Sequence, residues 1–417
     1  MSELALRLRQ PAQVGDRSRS DFVAGTRDYL PGTVVRGAFA AAWIATYGEP
    51  VPSSPSRTQF LRLFEGGVRF GPLFCGPAFM PLSVLGHKYD PGDRCAVVEY
   101  DRALKDDDPE RCLDCGSPLE QAKGLGGTGV RVRRRTSVAI TPAGVARRGQ
   151  IVTRDTLEAE QVFCGTLIAS SPDLLDALAG IGPVRVGGRR TTHGMAETTI
   201  SEGTEPPSAQ RRDDGLLVLR LGSPGIFVDD HGRPARDPAR SELAEVLGSP
   251  ARVLRRWSRW QSVGGWHLAS GLPKPEELAV APGSTYLIET GQPVTDDALA
   301  ALGRRGIGLR RHEGFGDLAP PPKLRPGKRA RDIEARHRKD LRDAVAPLRG
   351  LQVRRPELWQ LLLGRLAAHA GGDQQATELL RRMAHQPPDR GTGEALTVFL
   401  NLPADDAAYV AGELSRQ

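Results

Sequence analysis

Two glycine-rich stretches constrain this chain more than any other feature. Gly187-Gly188-Arg189-Arg190-Thr191-Thr192-His193-Gly194 and Gly308-Leu309-Arg310-Arg311-His312-Glu313-Gly314-Phe315-Gly316 lie about 120 residues apart, a shift that places Gly188, Arg190 and Gly194 on Gly308, Arg310 and Gly314. Each follows a helix start of the same chemistry. Ser171-Pro172-Asp173 and Thr295-Asp296-Asp297 both offer a capping hydroxyl and an early acid, and the first adds proline at the first turn. A short apolar run then leads into each loop. Internal repetition of this kind decides the architecture.

The rest of the chain fits two passes through one pattern. Leu4, Leu6 and Leu8 alternate with Ala5, Arg7 and Arg9, the period of a half-buried strand. Residues 34–47 are alanine-rich with apolar positions at helical spacing. Residues 68–74, 130–140 and 149–170 read as extended, residues 172–178 as helix, and 183–186 as a closing strand. After a polar segment at 201–214 the order recurs: strand at 216–221, short helix at 241–247, extended runs at 252–268 and 278–289, helix at 295–302. Strand, helix, strand, strand, helix, strand is the ferredoxin-like order. The expected fold is therefore α+β: two tandem ferredoxin-like βαββαβ units at 1–200 and 214–318. A polar insertion at 75–124, a basic proline-rich linker at 319–331 and a helical segment at 332–417 complete it. In that segment Leu358, Trp359, Leu361, Leu362, Leu363 and Leu366 are the expected buried stripe.

Composition excludes several classes. In 417 residues the longest apolar run is far too short for a membrane span, and the opening MSELALRLRQ lacks the basic start and apolar core of a secretory signal, so a cytoplasmic protein is expected. Five cysteines are too few for a disulfide scaffold of this size. The formal charge is +7, and only seven of the 57 basic residues are lysine. Arginine's planar fork suits phosphate. From Arg131 to Arg154 there are seven arginines, Arg133 and Arg135 among them, and no acid. Such a stripe fits a nucleic-acid backbone, or equally a solvated strand face in an arginine-rich chain.

Leu30-Pro31-Gly32-Thr33-Val34-Val35-Arg36-Gly37-Ala38 resembles the "(I/L)PGSSLRGALR" motif of the RAMP superfamily of CRISPR effector proteins. The second glycine stretch is similar to that superfamily's G-x-x-(R/K)-x-x-G-(F/Y)-G loop. The first looks like a degenerate copy, with Met195 and Ala196 standing where Phe315 and Gly316 stand. Arg135-Thr136-Ser137-Val138-Ala139-Ile140 resembles the R-x-x-x-A-I strand. Within the superfamily the chain looks most like the type III-D RAMP subunit. Pro81-Leu82-Ser83, Cys112-Leu113-Asp114-Cys115-Gly116, Gly264-Gly265-Trp266-His267 and Pro282-Gly283-Ser284 add to that resemblance, and His87-Lys88 departs from its more usual Cys-Lys. The resemblance implies a non-catalytic subunit that binds the 5′ repeat-derived tag of the guide RNA (crRNA) and caps one end of the interference complex. Its implied partners are the large polymerase-like subunit and a backbone RAMP subunit, with target RNA met indirectly.

Glycine-rich loops let backbone amides approach a phosphate, and a flanking guanidinium adds an ionic contact. Candidate RNA-binding residues are accordingly Arg36, at a helix start where anions are favoured, Arg133 and Arg135, and Arg189, Arg190, His193, Arg310, Arg311, His312, Gly314, Phe315 and Gly316 of the loops. The alternative is that Gly314 and Gly316 only turn the chain while Phe315 fills the core. Cys112-x-x-Cys115 has the spacing that turns two thiolates onto one tetrahedral ion. His87 and Cys95 complete a candidate structural zinc (Zn2+) site, with Cys75 in reserve, against the alternative of reduced, unliganded thiols. Trp257, Trp260 and Trp266 beside Arg252, Arg255, Arg256 and Arg259 suit stacking on unpaired bases, or burial against the C-terminal helices. His193 and His312 are the only loop bases for an alternative endoribonuclease, and Asp21 and Asp28 the only local aspartates.

Overall fold

The three leucines of the opening strand decide where the first core sits. In the computed structural model, which describes residues 2–16, 23–76, 79–92, 95–122, 129–189, 191–267, 270–325 and 328–415, Ser2–Leu8 is central in an antiparallel sheet. It pairs with Met195–Glu202 on one side and Val162–Ala169 on the other, and the latter pairs with Val68–Phe70 and Leu73–Phe74. Leu4, Leu6 and Leu8 are fully buried beneath Val35, Phe39 and Trp43 of helix Gly32–Tyr47 and Leu174 and Leu178 of helix Pro172–Ala179. Pro31, which has no N–H to orphan, precedes the long helix, and Gly48 at φ 82° ends it.

The second sheet orders Gln210–Arg211, Leu217–Arg220, Thr285–Thr290 and Ala251–Trp257, with helices Arg240–Leu247 and Asp296–Arg305 on its core face. Thr295 caps the latter by accepting from the Ala298 N–H at 3.2 Å. The other face is covered by the insertion: Ala103 packs with Val218, Trp257 and Leu287, and buried Arg220 donates to buried Asp101 at 2.7 Å. Stripping one partner would leave a buried charge unpaired, so the pair commits insertion and sheet to each other.

Three elements differ from the sequence expectation. Residues 183–186 do not close the first sheet. Val184–Arg185 is a short edge, and the chain turns at Gly194, φ 80°, into the eight-residue strand Met195–Glu202. That strand is threonine-rich and half polar, so its apolar alternation is weak. The arginine stripe forms a long hairpin arm, Val132–Ile140 with Ala146–Leu157, most of it exposed on both faces rather than on one, and Val23–Thr26 then Gly15–Asp16 extend the sheet at Thr153 and Arg154. The run at 252–268 is broken after Trp257, and Trp260–His267 pairs with Leu272–Val280 as a second arm. Both arms occupy the same place in the chain order, leading into Val162–Ala169 and Thr285–Thr290 respectively.

Contacts divide the chain into Met1–Tyr89 with Glu99–Leu324, and Asp90–Val98 with Arg325–Gln417. Among the described residues the latter contains five helices, Lys328–Arg354, Pro356–Ala370, Gln374–His385, Arg390–Leu400 and Ala404–Ser415, the first beginning inside the stretch read as linker. Trp359, Leu362 and Leu366 are buried with Leu380 and Phe399, whereas Leu361 is 50% exposed. Six apolar residues within nine positions wrap more than one helix face, so one of them must face out.

Candidate nucleic-acid interface and metal centre

The two glycine-rich loops share one backbone hydrogen-bond pattern. Val186 N–H donates to Gly194 O as Ile307 N–H does to Gly316 O, each at 2.9 Å. Gly194 N–H donates to Pro11 O as Gly316 N–H does to Pro224 O, and Gly188 N–H to Gln13 O as Leu309 N–H to Ile226 O. Arg189 and Arg310 are both left-handed, at φ 53° and 54°. The matched positions are therefore Gly187 with Gly308, Arg189 with Arg310, and Gly194 with Gly316. The expected register, Gly188, Arg190 and Gly194 on Gly308, Arg310 and Gly314, is off by one at the first two positions, and by two at Gly194 because the second loop holds one extra residue between its left-handed arginine and its last glycine. His193, not Met195, stands where Phe315 stands.

The second loop is tied down on every side. Arg310 donates to Glu313 at 2.8 and 2.9 Å and also to Glu277, and its guanidinium lies 4.9 Å from the centre of the Phe315 ring. Lys274 of the second arm reaches the same Glu313 at 2.9 Å. Burial opposes the Glu313 charge, but the Arg310 and Lys274 hydrogen bonds outweigh it and hold the carboxyl at about 2, from an ordinary 4.5. Arg311 donates to Glu242 at 3.1 Å, and both Glu242 oxygens accept from the Gly308 N–H at 3.0 and 3.1 Å. Phe315 is buried with Ile226, Val263 and Ala279. Gly314 lies against Gly32: a Cβ on Gly314 would fall 2.8 Å from the Gly32 Cα and on the Phe70 carbonyl oxygen. Two motifs far apart in sequence thus meet at a glycine-to-glycine contact, which requires both residues to lack a side chain. Half-buried His312 is held below its ordinary pKa, by burial first and by Arg36 next.

The first loop is open. Arg189 is exposed and, among the described residues, its guanidinium meets no carboxylate. His193 Nδ1 bonds the Thr192 hydroxyl at 2.8 Å. Arg190 lies outside the described residues. Arg36 is engaged rather than free: it donates to Phe64 O at 2.7 Å and Glu65 at 2.6 Å. On the first arm Arg134 is paired with Asp155, but Arg133 and Arg135 share the opposite face with Arg154, which stands directly across from Arg135. Like charges at facing positions are unfavourable and invite a counter-anion.

The metal candidates converge. The ligand atoms of His87, Cys95, Cys112 and Cys115 all lie within 4.8 Å of one another, with His87 Nε2 3.2 Å from Cys115 Sγ. His87 ends strand Val84–His87. A tight turn, in which Gly116 at φ 68° donates to Cys112 O at 2.9 Å, folds the two cysteines back together. One imidazole and three sulfurs at this spacing fit a tetrahedral zinc, whose bonds run ~2.0–2.3 Å. Trp257 is buried, with Arg102 and Arg255 at 5.6 and 5.0 Å from its ring, and packs on the insertion. Trp266 is 62% exposed on the second arm. Asp28 lies in a bend, and Asp21 falls outside the described residues. Glu242, Glu277 and Glu313, which fix the second loop, escaped the sequence reading. Glu313 was visible inside the motif, but the other two arrive from elements with no local sign of the partnership.

Residues 167–319, which span both loops and the second sheet, match the family described as CRISPR-associated protein (Cas_Cmr3). Among curated proteins none matches this sequence. Among solved structures, a chain of the type III-B Cmr-beta complex bound to cognate target RNA is 12% identical with a TM-score of 0.43, over 78% of this chain and 98% of that one. A chain of the same complex with AMPPnP also bound is 10% identical, TM-score 0.39, over 68% and 86%. A chain of the Csm3–Csm4 subcomplex of a type III-A CRISPR-Cas interference complex is 12% identical, TM-score 0.33, over 71% and 96%. The family match, over about a third of the chain, is to a CRISPR-associated family. Among the described residues no helix is long and apolar enough to cross a membrane.

Proposed function

We propose that this chain is a non-catalytic RNA-binding subunit of a type III CRISPR effector, built of two tandem ferredoxin-like units, that holds the 5′ repeat-derived tag of the guide RNA and caps one end of the complex. The family match across both glycine-rich loops carries the reading. The open first loop and the Arg133–Arg135–Arg154 face are its chemistry: phosphates give affinity, and splayed bases give specificity. The large polymerase-like subunit and a backbone RAMP subunit are its protein partners. Affinity-purified native protein is expected to carry a short RNA with one uniform 5′ end together with other RAMP subunits; co-purification of neither overturns the reading. Incubation with labelled repeat RNA is expected to give salt-sensitive binding without products. Cleavage abolished by His193→Ala or His312→Ala would instead establish the endoribonuclease.

Zinc belongs to the same proposal, held by His87, Cys95, Cys112 and Cys115 as a structural ion in an insertion with little apolar core of its own. Metal analysis is expected to find one zinc per chain, lost in Cys112→Ser together with protease resistance of the insertion. A metal-free chain with an intact insertion refutes it.

A further inference from the structure

The matched loops differ at one place that the sequence register concealed. In the second, the Gly308 N–H and the Arg311 guanidinium converge on Glu242, whose carboxylate is only 17% exposed. An amide of a left-handed glycine plus a guanidinium is the donor set that recognises a phosphate oxygen. The carboxylate comes from the first turn of helix Arg240–Leu247. In the first half the corresponding helix, Gly32–Tyr47, carries no acid in its first turn and has Val34 as its third residue. There the matching Gly187 N–H has no partner among the described residues, the counterpart of Arg311 is Arg190, outside them, and the neighbouring Arg189, which matches Arg310, is exposed.

We propose that Glu242 is a built-in anion that occupies the second cradle and closes it to phosphodiester, leaving the open first loop, with its exposed Arg189, to take the RNA phosphate. The inference rests on the RNA-binding reading above and deepens it. The second loop then acts as a strut and the first as the contact.

The test uses the full chain, a fluorescein-labelled oligouridylate and a salt titration. Glu242→Ala frees Arg311 and the Gly308 amide, so affinity at low salt is expected to rise roughly three- to tenfold, with the slope of log K against log salt steeper by ~0.7, one added phosphate contact on a single strand; Glu242→Gln, which loses the charge but keeps an accepting amide oxygen, is expected to show a smaller rise. Arg189→Ala is expected to lower that slope by a similar amount, and Glu242→Ala/Arg311→Ala to return to the parental value. Unchanged affinity and slope in a folded Glu242 variant overturn the proposal. A second readout does not depend on RNA: in an Arg189→Ala background, Glu242→Ala is expected to acquire sulfate-dependent thermal stabilisation that Arg189→Ala alone lacks. If the parent chain binds no RNA yet this sulfate effect is present, the RNA reading fails while the cradle assignment stands. If both Glu242 variants are unfolded even in sulfate, the carboxylate is a brace and not a replaceable occupant, and the proposal falls.

Discussion

The two halves of this chain wind their glycine-rich loops through the same hydrogen bonds and then use them in opposite ways. The second loop presents Arg310 and Arg311 to Glu277, Glu313 and Glu242, packs Phe315 inward, and rests Gly314 on Gly32. The first carries no glutamate and leaves Arg189 exposed. The loop that best matches a binding motif by sequence is thus the one most consumed by internal contacts. A motif names residue types that fit an anion; whether the anion comes from solvent or from the chain itself depends on residues the motif does not include.

The largest effect that would break this comparison lies at the glycine seam. Gly314 has φ 85° and backbone on two sides, so Gly314→Ala incurs both a left-handed penalty and a clash that no side chain can relieve. We expect a loss of about 4 kcal/mol or more in denaturant unfolding, the sum of upper-range overpacking and left-handed costs. In the first loop Gly188→Ala is the control. Its Cβ would sit 3.9 Å from the nearest atom, Gln13 O, and a shift within about 0.5 kcal/mol is expected. Equal losses at the two positions would show that the second loop is no more a strut than the first.

How far these assignments could be read from sequence follows from the range of the interactions. The α+β class, the opening strand and the helices at 32–47 and 296–305 rest on local period and capping, and those signals are present in Leu4-Leu6-Leu8 and in Thr295. The cysteine spacing marked the metal cluster for the same reason. Met195–Glu202 was missed because a half-polar strand has weak alternation, and the loop register slipped because the doublets Gly187-Gly188 and Arg189-Arg190 align with Gly308 and Arg310 in either of two registers. The partners of Arg310 and Arg311 were beyond reach altogether. Glu242 and Glu277 join the loop only through tertiary approach of a helix start and an arm.

A smaller, pH-dependent effect sharpens the contrast. Glu313 is held at about 2 against an ordinary 4.5, a depressed acid, so its contribution to stability is complete above the ordinary value and is lost as pH falls from there toward about 2. Acid titration of the thermal midpoint is expected to show this loss in the parent chain and a flatter profile over the same window in Glu313→Gln, whose stability at neutral pH is already reduced. An identical profile in the two proteins would mean that the Arg310–Glu313–Lys274 cluster does not brace the loop.

The smallest expected effect bears on the first loop alone. Arg189 makes no ion pair among the described residues, and its left-handed backbone, φ 53°, is borne by a side chain with no compensating contact. Replacing Arg189 by alanine keeps that backbone cost and removes no packing, so stability is expected to stay within about 0.5 kcal/mol of the parent. Arg189→Gly relieves the strain and should raise stability by a fraction of about 1 kcal/mol in denaturant unfolding, the scale of the left-handed penalty. Arg310→Gly relieves the same strain in the second loop but takes the guanidinium away from Glu277 and leaves Glu313 to Lys274, and it should therefore destabilise. Opposite signs at two positions of nearly equal φ would separate the cost of the backbone shape from the value of the contacts made by the side chain it carries. Matching signs would erase the distinction between an open loop and a braced one.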